Sequence, residues 1–163
     1  GLPKVDREFY VMQGEVYTAE AFGTKGTATY SWENMWNEKP EYVVFNGSAV
    51  SLVGERALKA RVGERVRVYF GVGGPNLTSS FHVIGEIFDR VYNLASLNQG
   101  QLSNVQTVLV PPGGAVAVEM KLEVPGTYTL VDHALTRLHK GGAAQLVVEG
   151  KEDPSLYRAV AAR

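Results

Sequence analysis

The sequence predicts an all-β fold, a Greek-key antiparallel β-sandwich or barrel, forming a single domain over residues 1–150. Three observations predict it. Roughly eight segments have strand character, several of them alternate apolar and polar residues with a period of two, and glycine or proline turns separate them. Helical signal is confined to short scraps, and 163 residues suit one hydrophobic core with no room for a second domain.

Taken in order, residues 1–7 (GLPKVDR) form a polar, proline-bearing arm. Glu8 to Thr18 is rich in β-branched and aromatic residues and reads as a strand, with Gly14 a bulge or bend. From Ala19 to Lys39 the signal weakens to a short helix around Trp32–Asn37, closed by Pro40. A stretch of that length without strands is expected to wrap the surface or touch a partner. Tyr42–Phe45 is a short strand ended by the turn signal Asn46-Gly47. Ala57–Val62 and Glu64–Val72 read as a β pair cornered at Gly63-Glu64, with Val66, Val68 and Phe70 alternating with Arg65, Arg67 and Tyr69. Strands over Ser80–Ile84 and Glu86–Tyr92 follow, then a polar loop over Asn93–Ser103. Val105–Val110 is a strand that Pro111 to Gly114 interrupts, and Ala115–Glu123 alternates again. Gly126 to Val148 reads as a strand, one short helical turn stopped by Gly141-Gly142, and a strand leading away. The charged residues 151–163 have helical potential without a large apolar face, and are expected to pack as a tail on a neighbouring subunit.

Composition narrows the function. Sixteen basic and seventeen acidic side chains give a formal charge of −1, which leaves no cationic excess for a phosphate backbone, so no nucleic acid partner is expected. No apolar run approaches the ~18–20 residues of a membrane span, and no signal segment opens the chain. The absence of cysteine excludes disulfides, thiolate nucleophiles and a blue-copper centre within this chain.

Histidines then carry the chemistry. His82 shares a strand face with Ser80 and Ile84, while Phe81 and Val83 face the core. An imidazole there serves either as an acid–base group near neutral pH or as an ordinary surface histidine. His133 falls where the strand Gly126–Asp132 ends, placed either for metal ligation or for no special task. His139 lies six residues on, roughly 240° around a helix, so the two cannot chelate one ion from one face. Any metal at His133 therefore needs ligands from elsewhere. Glu86, Asp89 and Asp132 read as solvated or turn-capping carboxylates. Gly71-Val-Gly-Gly74 lacks the lysine and the following helix of a phosphate loop.

Several segments together resemble one family. SSFHVIGEIFDRVY at 79–92, the stretch from NVQTVLV at 104 to QLVVEG at 150 that contains LVDHALTRLHKG, and YVVFNG at 42–47 are similar to the second cupredoxin domain of copper-containing nitrite reductases. GLPKVDREFYVMQGEVYT is similar to that domain's opening strand, and residues 48–78 are least distinctive. The resemblance implies a cupredoxin-like fold and a place in a periplasmic, trimeric copper enzyme of denitrification that reduces nitrite to nitric oxide. It implies that His133 is one ligand of a type 2 copper shared with another domain or subunit, that His82 helps deliver protons, and that Ile84 crowds the nitrite pocket. Gln106 and Thr107 match positions that orient His82, and His139 receives no role. The first cupredoxin domain, with its type 1 copper, becomes an expected partner, and no type 1 copper belongs to this chain. Two other readings remain open: a domain of a two-domain, laccase-like multicopper oxidase, and a non-catalytic, trimerising structural cupredoxin module.

Overall fold

The computed structural model describes residues 1–98 and 100–158. Among these residues, ten strands form two five-stranded sheets packed face to face. The first sheet runs β2 (Tyr42–Phe45), β1 (Arg7–Val16), β4 (Arg65–Gly74), β8 (Ala115–Lys121), β6 (Arg90–Tyr92). The second runs β3 (Leu58–Arg61), β10 (Ala143–Glu149), β9 (Gly126–Asp132), β5 (Ser79–Ile84), β7 (Thr107–Val110). A single core fills the space between them.

Alternation builds that core. Val66, Val68, Phe70 and Val72 of β4 face Phe81 and Val83 of β5 and Tyr128 and Leu130 of β9, all buried. Phe81 is fully buried and stacks on Phe70 with ring centroids 4.0 Å apart, and Phe88 lies beyond it at 5.7 Å. The strand that carries His82 is thereby clamped at its midpoint.

The sandwich agrees with the alternation, but its pairing is mixed and not wholly antiparallel. β1 pairs with β4 and β3 with β10 in parallel; the other six pairings are antiparallel. Both kinds of ladder show the same period of two, so alternation cannot tell them apart. β3 and β4 are also not partners. At their corner the Val62 N–H donates to the Glu149 carbonyl (2.9 Å) in the second sheet, and the Gly63 N–H donates to the Leu122 carbonyl (2.7 Å) beside the first. The chain crosses from one layer to the other there. The strand expected over Glu86–Tyr92 shrinks to Arg90–Tyr92, because the chain turns at Gly85 with φ +101°. A side chain at Gly85 would also meet the Tyr128 ring at 2.9 Å.

The weak stretch 19–39 runs over the surface around helix α1 (Trp32–Trp36), whose first turn is capped by the Ser31 hydroxyl accepting from the Asn34 N–H. Gly14 marks a register shift between β1 and β4. After β9 a 3₁₀ segment, Leu135–Lys140, ends at Gly141, which has φ +98° and sits where a Cβ would strike Ala49 at 2.6 Å. Residues 151–158 are exposed; the rest of the expected tail, 159–163, lies outside the described residues. Among the described residues no helix is long and apolar enough to cross a membrane.

Candidate metal and proton-transfer site

Three neighbouring strands, β9, β5 and β7, bring the candidate residues to the outer edge of the second sheet. His82 lies in β5 opposite Val131 and Thr107. His133 follows the last residue of β9, and its backbone N–H donates to the Ser80 carbonyl at 2.8 Å. Ser80 and His82 share a face, so the two histidines become diagonal neighbours across the β5–β9 pair, within reach of long side chains. Their rings lie 5.3 Å apart between centroids, tilted by 57°.

Each ring is differently constrained. His82 Nδ1 lies 2.6 Å from the backbone carbonyl of Gln106. A carbonyl only accepts, so Nδ1 carries a hydrogen and Nε2 is the nitrogen whose proton can come and go. Gln106 thus holds His82 through its main chain, while its side chain is exposed. His133 is exposed, and its ring has no hydrogen-bond partner among the described residues. Ile84, 45% exposed, stands one residue pair further along the His82 face. It opens on a cleft of about 830 Å³ that Glu86, Tyr128 and Tyr157 also line. His139 is exposed on the 3₁₀ segment that follows His133.

Asp132 corrects the reading of scattered solvated carboxylates. It is fully buried. Its Oδ1 accepts from the backbone N–H groups of Ser80 and Ala134, both at 3.1 Å. Its Oδ2 accepts from Gln13 Nε2 at 3.1 Å and from the Arg137 guanidinium. Gln13, also buried, accepts from the Ser79 hydroxyl at 2.8 Å, and Arg137 donates to the Thr78 carbonyl at 2.8 Å. The signal for this network was present in β9: alternation with Tyr128 and Leu130 places Asp132 inward, and a carboxylate facing a core requires a cation and donors. Glu86 differs from both predicted readings. Its carboxyl is half-buried, and burial together with Asp89 and Glu123 pushes its pKa up to about 7.

The geometry also tests whether copper fits. Imidazole nitrogen is a good ligand for copper, and the His133 ring is presented free at the surface. Among the described residues no group of three or more histidine, cysteine, aspartate or glutamate side chains could hold a metal ion. A single exposed imidazole of this kind could donate one ligand to such an ion.

The multicopper oxidase family profile matches residues 23–152. The chain belongs to the multicopper oxidase family. Within it, the chain is 53% identical over 96% of its length to the copper-containing nitrite reductase of Neisseria gonorrhoeae, and 31% identical over 96% to that of Rhizobium meliloti. It spans 40% of the length of the former and 42% of the latter. Among solved structures, a copper nitrite reductase from Nitrosomonas europaea superposes with a TM-score of 0.77 at 34% identity, covering 94% of this chain and 52% of that one. One from Thermus scotoductus gives 0.76 at 30% identity, covering 92% and 32%. The fold is thus the cupredoxin-like sandwich.

Proposed function

We propose that the chain is one domain of a copper-dependent nitrite reductase, in which His133 supplies one type 2 copper ligand at an interface and His82 delivers protons to nitrite. The observation that carries this reading is the convergence of the two imidazoles, with centroids 5.3 Å apart, in a chain 53% identical to a copper-containing nitrite reductase. The remaining ligands and a type 1 copper would come from a first cupredoxin domain, and the whole would be a periplasmic homotrimer of denitrification. The identity to nitrite reductases favours this over a laccase-like oxidase or a structural module.

The reaction takes up one electron and two protons per nitrite, releasing nitric oxide and water. Copper bound at His133 would supply the electron and an anchor for the anion. The chain's own residues manage the protons. His82 keeps its Nδ1 hydrogen on the Gln106 carbonyl, so a proton leaves from Nε2 and is replaced there, without the ring turning. Thr107, paired opposite His82, fixes the strand edge from which that carbonyl projects. Ile84 presents an apolar side chain on the His82 face, which limits the room beside a small anion and excludes bulkier ones.

The test uses the full-length protein. His133→Ala should lose the type 2 copper and nitric oxide production together. His82→Ala should keep copper yet lower turnover by about 100-fold or more, in the range for general acid–base groups. Undiminished turnover in His82→Ala would remove it from the proton path, and full copper retention in His133→Ala would remove it from the ligand set.

A further inference from the structure

We infer that Asp132, locked by Gln13 and Arg137, is a positioning residue that sets the separation between His82 and His133. The inference rests on the reading of these histidines as proton donor and metal ligand. Its basis is the connectivity of one carboxylate. Asp132 Oδ1 accepts from Ala134 N, which closes a short turn with His133 as its middle residue, and from Ser80 N, two residues before His82. The Ser80 carbonyl in turn accepts from His133 N. One side chain therefore ties the backbone on both sides of the ligand to the strand that carries the proton donor.

The same carboxylate is itself held from two directions. Gln13 reaches across from β1 in the opposite sheet, donating to Asp132 and accepting from Ser79. Arg137 folds back from the 3₁₀ segment onto Asp132 and the Thr78 carbonyl. Thr78, Ser79 and Ser80, which precede Phe81 and His82, are each bound to this cluster. The exposed ring of His133 makes no hydrogen bond among the described residues, and beside it stands the His82 ring. Its position is inherited from its backbone, and this cluster determines that backbone. A buried ion pair is a weak route to stability, since apolar replacements often serve as well. Fixing one geometry is what such a pair does well, and ligands for a metal must sit within about 0.5 Å of their working position.

The experiment compares Asp132→Asn, Arg137→Ala, Arg137→Lys and His133→Ala in the copper-loaded full-length protein. Copper affinity is measured by chelator competition and ligand geometry by the copper EPR hyperfine splitting, with thermal melting in parallel. Asp132→Asn and Arg137→Ala should weaken copper binding by about 10–100-fold, the usual effect of losing a group that orients a ligand, and alter the hyperfine splitting. Arg137→Lys should recover most of the affinity, because an ammonium still pairs with Oδ2. Melting temperatures that fall while affinity and splitting stay at the parental values would overturn the inference and leave Asp132 a merely structural residue. Should Asp132→Asn fail to fold, Arg137→Ala carries the same test, since its side chain reaches solvent. His133→Ala separates the two ideas. If it binds copper like the parent, the ligand reading fails; if it alone loses copper, only the positioning role fails.

Discussion

Arg67 and Glu119 form the most deeply buried ion pair among the described residues, with side chains 3% and 2% exposed, and they allow the balance between desolvation and pairing to be measured. Arg67 donates to Glu119 Oε1 through Nε (2.9 Å) and NH2 (2.5 Å), to Glu8 through NH1 (2.7 Å), and to the Pro3 carbonyl (2.5 Å). Glu119 has poorer alternatives: the Tyr92 hydroxyl at 3.3 Å and Arg90 at 3.6 Å. Removing the cation should therefore cost more than removing the anion. Arg67→Met leaves a buried carboxylate with weak partners and should cost about 3 kcal/mol, near the lower end for a broken buried pair because Arg90 stands close. Glu119→Leu leaves Arg67 with Glu8 and Pro3, and should cost about 2 kcal/mol. The double variant removes both charges from the interior and should cost only about 1 kcal/mol, giving a coupling of about 4 kcal/mol. Urea unfolding with linear extrapolation reads all three values. A coupling below about 0.5 kcal/mol, or a larger loss from Glu119→Leu than from Arg67→Met, would refute the reasoning.

Two further outcomes follow from the packing and the charges. Phe81→Leu exchanges the ring stacked at 4.0 Å on Phe70 for a smaller branched chain. It should cost about 1.5 kcal/mol and lower the melting temperature by about 3–6 °C, measured by circular dichroism. Glu86 titrates near 4.5 when unfolded and at about 7 when folded, so the folded chain binds this proton more tightly. The stability it contributes is complete at pH values below the unfolded pKa and is lost as the pH rises through the folded one. Relative to Glu86→Gln, the parent should therefore lose about 1 kcal/mol between roughly pH 5 and pH 8, with solvent exposure of the carboxyl keeping the figure small. An equal pH dependence of both proteins, read by chemical denaturation, would exclude that titration.

How much of this could be read in advance depended on range. Alternation is a property of adjacent residues, so Phe81 and Val83 inward and His82 and Ile84 outward were legible directly. The strand end at His133 was legible too, where the alternation of Thr127 to Asp132 runs out. Pairing is a property of residues far apart, and the parallel partners of β1 and β3 left no local trace. The strand expected over Glu86–Tyr92 failed for a local reason, since an apolar–polar pattern continued past a glycine whose φ turns the chain. Asp132 was misread because its type was weighed without its position. Its charge spoke for solvent, while its place in β9 spoke for the core.

The parallel pairing of β1 bears on how this domain can be cut and how it forms. β1 begins at Arg7 yet occupies an interior place, flanked by β2 on one side and β4 on the other. Any version shortened past Val16 would lose an inner strand and leave β2, an edge strand, without a neighbour. Such a cut would split a sheet instead of trimming one. Of the described strands β1 is made before the others, but it cannot complete its parallel ladder until β4 has been made, and the sheet closes only when β8 arrives. Ladders of such long sequence separation raise the entropy cost of the folding barrier. β4 and β6 are fully paired later than β1, because both need β8 as a partner, and during that interval their open edges are the surfaces from which misassembly would start.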